Sequence, residues 1–227
     1  FYPGGPEASH ILGAVNIDNQ GIAGIEKAMD NNDVALLQQL GLARGNELAP
    51  VNLSIDLRVQ HAMRDVLADA ITRYQAESAA GVMMDIKTGE VLGLVSLPDF
   101  DPNNPVTALQ KDSFNRITAG IFELGSTMKS VTIAGALDSG KVKINDSFDA
   151  RFGVRFGRFT IDDFHGKHRI LTVPEIYKYS SNVGAIKVMQ AWGKDNFRAF
   201  LAKLGFDQPE PLELPERRMP SVPKSFS

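Results

Sequence analysis

Residues 123–130 read Glu123-Leu-Gly-Ser-Thr-Met-Lys-Ser130, and the reading of the whole chain turns on Ser126 and Lys129 within them. If Ser126 opens a helix, the three-residue spacing stacks its hydroxyl and the lysine side chain on one face. A lysine near a helix N-terminus, sunk among apolar neighbours, holds its proton less tightly. It can then take the proton of the serine hydroxyl, a poor nucleophile unaided. Ser-x-x-Lys also arises by chance in many helices, so the pair needs company before it means catalysis.

That company lies downstream. After Lys129 the run Ser-Val-Thr-Ile-Ala-Gly-Ala-Leu-Asp-Ser-Gly, closing at Gly140, predicts a largely buried helix with a glycine stop. Farther on, Ser180-Ser181-Asn182 follows Thr172-Val-Pro-Glu175, which reads as a capping box with proline in the first turn. The triplet therefore falls at the end of a short helix, where a turn could aim Ser180 and Asn182 into a cleft. Taken alone it is a helix end dressed with small polar residues.

In this order the two motifs resemble those of the penicillin-binding proteins, the serine acyltransferases of peptidoglycan synthesis. The resemblance extends through Tyr2-Pro3, His10-Ile-Leu-Gly13 and Gly21-Ile-Ala-Gly-Ile-Glu26, which are similar to the non-catalytic pedestal of class B members. It continues in Leu53-Ser-Ile-Asp-Leu-Arg-Val-Gln60, Asp85-Ile-Lys-Thr-Gly-Glu-Val91 and Pro98-Asp-Phe-Asp-Pro-Asn103, which are similar to the opening of their transpeptidase domain. The wording is nearest the septal, cell-division branch, with the elongation branch as the near alternative. The resemblance implies an α+β fold of the penicillin-binding/β-lactamase type, an antiparallel sheet flanked by helices. It implies residues 1–50 as part of a pedestal and residues 51–227 as the N-terminal portion of the transpeptidase domain.

The roles it implies are specific. Ser126 attacks the carbonyl between two D-alanines of a stem peptide, and Lys129 accepts its proton. Ser180 relays the proton to the leaving amine, Asn182 binds the substrate amide and steadies Lys129, and Gly125 and Ser181 border the substrate. An amino group of a second stem then resolves the acyl-serine, and β-lactams trap it. The expected partners are peptidoglycan stem peptides, β-lactam antibiotics, a glycosyltransferase and division proteins. The expected location is the periplasmic face of the bacterial inner membrane, with a single anchor upstream of Phe1. No cofactor and no metal is implied.

The family's third motif, Lys-Thr-Gly after Ser-x-Asn, has an apparent match in Lys87-Thr88-Gly89, but it precedes Ser126. Apolar runs at 79–86 and 91–97 flank it, so it reads as a hairpin turn. With no later copy, the chain is expected to be part of a longer enzyme. It departs from the common pattern at Leu124, where proline is frequent, and at Met128, where phenylalanine is.

Composition bounds the rest. Of 227 residues, 43% are hydrophobic and 22% charged, the balance of a folded globular chain. A net charge of −3 without a basic cluster argues against a nucleic-acid partner, and zero cysteines exclude disulfides and thiolate metal sites. Val59, Met63, Val66, Leu67, Ile71 and Tyr74 recur at helical spacing behind Asp56 as N-cap, and 53–55 is strand-like. Helices are predicted near 22–29, 184–192 and 196–204, with a helical region before Ser126 and short strands and loops over 141–170. His165 and His168 lack a third ligand, and adjacent Asp162 and Asp163 read as ordinary turn carboxylates. Trp192 reads as core. Glu216 sits roughly where a class A β-lactamase carries its deacylating glutamate, but Pro220 replaces the required asparagine. The two rival readings are a catalytically inactive scaffold or sensor, and a β-lactamase.

Overall fold

A computed structural model of the chain describes residues 1–30 and 51–222. The expected boundary at residue 50 lies outside the described residues. Cα packing divides the chain into two units, residues 1–121 with 210–218, and residues 122–209 with 219–227.

The first unit begins with a short helix, α1 (Ser9–Leu12), then an antiparallel pair, β1 (Ala14–Val15) and β2 (Gly21–Ala23), and α2 (Gly24–Asp30). The 18-residue α3 (Leu57–Tyr74) starts where the Asp56 carboxylate accepts from the Arg58 N–H at 2.9 Å, so Asp56 is the expected N-cap. It lies over the hairpin of β3 (Ala79–Met84) and β4 (Val91–Leu97), paired from Ala79 opposite Leu97 to Met84 opposite Val91.

Two expectations for this unit change. Residues 53–55 stay outside any strand, tied to β4 through the Ser54 hydroxyl, which donates to the Val91 carbonyl at 2.7 Å. And the fully buried side chain of α3 is Gln60, while Val66 and Tyr74 stay exposed. Gln60 Nε2 donates to the Leu94 carbonyl and its Oε1 accepts from the Leu94 N–H, both at 2.8 Å. A primary amide thus completes the β4 ladder where a third strand would otherwise pair, and burial of such a polar group is tolerable only because it is matched on both sides.

The Lys87-Thr88-Gly89 stretch is a hairpin turn. Asp85 accepts from the Lys87 N–H at 2.7 Å, and the Thr88 hydroxyl donates to Glu90 at 3.0 Å. The expected helical region before Ser126 shrinks to one turn, α4 (Pro105–Ala108), followed by bends.

The second unit is built on α5 (Met128–Asp138), α6 (Val173–Lys178), α7 (Asn182–Trp192) and α8 (Lys194–Lys203). Two more antiparallel pairs complete it: β5 (Ser147–Asp149) with β8 (Ile170–Thr172), and β6 (Val154–Phe156) with β7 (Phe159–Ile161). The α+β reading holds, with the strands among the described residues arranged as four separate two-stranded pairs. Ile133, Leu171, Ile176, Val188, Trp192 and Leu201 are buried in one core. Trp192 meets Phe197 and Phe200 edge-on, ring centroids 5.7 and 5.5 Å away, so it is the core residue expected. At about 25 cal/mol per Å² of buried apolar surface, such rings supply much of what fixes the helices that carry the site.

Candidate active site

Gly125 initiates the site. Its φ of +55° belongs to the left-handed region, which glycine enters without the steric cost that a Cβ brings. A single 3₁₀ turn, Gly125–Thr127, runs straight into α5, placing Ser126 in the first turn where amide groups have no partner inside the helix. One turn on, Lys129 comes up on the same face. Met128 and Val131 on its flanks pack into the core, so the lysine stem is half-buried while Ser126 stays exposed.

The opposing wall is the turn between α6 and α7. The capping box at the start of α6 forms as expected: the Thr172 N–H donates to the Glu175 carboxylate at 3.0 Å. At the other end the chain leaves α6 through a Schellman turn. The Ser181 N–H reaches the Ile176 carbonyl at 3.0 Å and the Ser180 N–H reaches Tyr177 at 3.1 Å. The left-handed position of this turn, normally glycine, is Ser180, with φ +54°. Gly184 lets α7 follow closely, because a Cβ there would stand 2.6 Å from Ile176.

These two pieces bring three polar groups together. Lys129 Nζ donates to Ser126 Oγ at 3.1 Å, to Ser180 Oγ at 2.9 Å and to the Ser180 carbonyl at 2.6 Å. The two hydroxyl oxygens, Ser180 to Ser126, are themselves 2.9 Å apart. Partial burial lowers the affinity of Lys129 for its proton, and the negative charge of Asp163 partly opposes the shift.

Asn182 differs from expectation. Its Nδ2 donates to the Asp162 carbonyl at 3.2 Å, and the Lys129 ammonium is held by Ser126 and Ser180 instead. Ser181, 1% exposed, turns its hydroxyl inward as the N-cap of α7, accepting from the Gly184 N–H at 2.8 Å and donating to Asp163 at 2.7 Å. A Cβ on Gly125 would meet nothing within 4 Å, so the backbone angle is what requires glycine there.

Asp163 is the residue that sequence reasoning passed over. Among the described residues no three His, Cys, Asp or Glu side chains gather as for a metal, and Asp163 instead grips the Ser180–Asn182 turn. Glu216 accepts from the Gly24 N–H in the first unit and takes no part in the site. None of the site residues lines the mixed hollow bounded by Ile11, Leu53, Glu90, Val91 and Leu214 in the first unit.

Comparison with known proteins bears on the fold and the family. Residues 79–226 match the penicillin binding protein transpeptidase domain. The chain is 35% identical over 226 residues to a Caulobacter vibrioides protein named "Probable peptidoglycan D,D-transpeptidase FtsI", covering 100% of this chain and 37% of that protein. It is 29% identical to the peptidoglycan D,D-transpeptidase FtsI of Buchnera aphidicola, covering 99% of this chain and 42% of that one. Penicillin binding protein 3 of Mycobacterium tuberculosis superposes with a TM-score of 0.81 at 25% identity, over 98% of this chain and 50% of that structure. The chain thus spans between a third and a half of the length of these relatives. No helix among the described residues is long and apolar enough to cross a membrane. With the domain match, the relatives and the Ser126–Lys129–Ser180 arrangement in agreement, the chain belongs to the penicillin-binding protein transpeptidase family, in its class B, FtsI-like branch.

Proposed function

We propose that the protein to which this chain belongs is a peptidoglycan D,D-transpeptidase that works through an acyl-Ser126 intermediate, in septal wall synthesis. The observation that carries this reading is the closed triangle of Ser126 Oγ, Lys129 Nζ and Ser180 Oγ, with sides of 2.9–3.1 Å. That is hydrogen-bond reach for a nucleophile, its base and a proton relay, before any substrate is present.

The steps follow from the groups. Neutral Lys129 accepts the Ser126 proton as Oγ bonds to the carbonyl carbon between the two D-alanines of a donor stem. The tetrahedral intermediate collapses, the C–N bond breaks, and the leaving D-alanine amine receives a proton through the Ser180 hydroxyl. The amide of Ser126, in the first helical turn where it has no helical partner, would serve the developing oxyanion, and one such donor is worth about 3–4 kcal/mol. The amine of a neighbouring stem then attacks the ester, and its proton returns through the same relay. Asn182 and the backbone at Gly125 and Ser181 border the donor peptide. A β-lactam enters as a donor mimic whose leaving group stays tethered, so the ester persists. The family implies residues 1–50 as pedestal, residues 51–227 as the catalytic portion, an anchor in the inner membrane facing the periplasm, and a glycosyltransferase and division proteins as partners.

The test is intact-mass spectrometry of the whole protein before and after excess penicillin. One stable adduct, mapped to Ser126 and absent from Ser126→Ala, is expected. An adduct elsewhere removes Ser126 as nucleophile. Rapid steady turnover of the β-lactam would make the protein a hydrolase.

A further inference from the structure

The turn that carries Ser180 and Asn182 is held from outside its own helices. Asp163, in the loop after β7, spends both carboxylate oxygens on it: Oδ2 accepts from the Ser181 hydroxyl at 2.7 Å and Oδ1 from the Val183 N–H at 2.9 Å. The preceding residue contributes its carbonyl to Asn182 Nδ2 at 3.2 Å. The Val183 amide is one of the first-turn donors of α7 that no helical carbonyl can reach, and a carboxylate at a helix N-terminus also meets the positive end of the helix dipole. Ser181 is capped in turn, through Gly184, so the side chain at the centre of the motif is fixed at both its donor and its acceptor.

Such a clamp has something to restrain. Ser180 holds a left-handed backbone, with φ +54°, which is unfavourable for a non-glycine residue unless neighbours over-determine it. The same carboxylate is the charge whose field reaches Lys129. The ionisable groups around Asp163 are, on its own loop, Asp162, His165, Lys167, which lies by the Tyr179 ring, and His168, whose Nδ1 stands 3.4 Å from the Arg151 carbonyl, and beyond it Arg169, paired with Glu175. On α6, the Tyr177 hydroxyl pairs with Ser130 and Lys178 lies by the Tyr179 ring, while on α7 Lys187 bonds the Asp149 carbonyl.

We propose that Asp163 is a positioning residue of the acylation site, fixing the Ser180–Asn182 turn through Ser181 and Val183. It touches no reacting atom. It acts through Ser181 and Val183 on where the Ser180 hydroxyl sits, and through its charge on how readily Lys129 gives up its proton. This rests on the reading of Ser126 and Lys129 as nucleophile and base.

The experiment is the second-order rate of acylation by a fluorescent penicillin, measured from pH 5 to pH 10 on the whole protein. Wild type is compared with Asp163→Asn, which is nearly isosteric, and with Asp163→Ala, with Ser126→Ala as the unlabelled control. The rate should rise with pH as Lys129 loses its proton. Removing the negative charge favours neutral Lys129, so in Asp163→Asn the rising limb moves to lower pH. The plateau falls as well, about tenfold in Asp163→Asn and up to about 100-fold in Asp163→Ala, the scale of a misplaced catalytic group. A rate within twofold of wild type at every pH overturns the proposal. So does a lower plateau with an unmoved limb, which is the signature of a loop that merely supports the fold. If Asp163→Ala does not fold, Asp163→Asn decides alone. If wild type itself is not labelled at Ser126, the catalytic reading falls first and this one with it.

Discussion

Lys87-Thr88 and Ser126–Lys129 each pair a lysine with a hydroxyl residue, and they end in opposite circumstances. At Lys87-Thr88 the neighbours are local: Asp85 and Glu90, two or three residues away, absorb the turn's amides and hydroxyl, and the segment closes on itself in solvent. At Ser126 and Lys129 the decisive neighbour is Ser180, more than 50 residues distant, delivered by a turn that a third segment holds in place. A motif becomes chemistry when a remote element completes its hydrogen bonds, and remains a turn when its own flanks do.

The sharpest way to break that comparison is to remove one member of each group. Ser126→Ala should abolish covalent penicillin labelling of the whole protein, and Lys129→Ala should slow it by on the order of 10²–10⁴-fold, the usual worth of a general base. Lys87→Ala and Thr88→Ala should leave the acylation rate unchanged. Slower acylation in either would return the first triplet to the active site and undo the contrast.

A second cut separates stability from chemistry within the site. Ser180→Gly relieves the left-handed strain and should raise thermal stability by about 1 kcal/mol, yet it removes the hydroxyl proposed as relay and should slow acylation about 100-fold. A variant both faster and more stable would show that the hydroxyl contributes nothing.

A third addresses the packing that aims the turn. Gly184→Ala drives a Cβ to 2.6 Å from Ile176, so it should cost about 1–3 kcal/mol by denaturant unfolding, with acylation falling in step. Unchanged stability would mean that α6 and α7 have room to part. The smallest effect expected is at the decoy turn itself: Lys87→Ala should lie within about 0.5 kcal/mol of wild type in stability, like most exposed substitutions.

What the sequence makes legible follows the same division between local and remote. The capping box of α6, the N-cap Asp56, the hairpin turn and the glycine stop at Gly140 depend on residues a few positions apart, and each forms where expected. The pairing of Ser126 with Lys129 is of this kind too, since the helical repeat alone supplies it. Asp163 was illegible for the opposite reason. Two adjacent aspartates look like a turn, and only the path from β7 to α7 brings one of them to Ser181. Gln60 was hidden likewise, because a glutamine on an amphipathic helix reads as surface until a strand amide and carbonyl are found to meet it. The apolar spacing of Val66 and Tyr74 finds the helix but does not tell how much of its stripe is covered, and both stay exposed.

The three acceptors around Lys129 Nζ have a consequence in proton counting. Ser126 Oγ, Ser180 Oγ and the Ser180 carbonyl match the three N–H bonds of an ammonium one for one. A neutral amine has only two N–H bonds and a lone pair, and a carbonyl cannot supply the missing hydrogen. Loss of a single proton from Lys129 therefore obliges one of the two serine hydroxyls to turn and donate toward nitrogen. Where that hydroxyl is Ser126, the ground state already holds the hydrogen on the line of the proposed transfer.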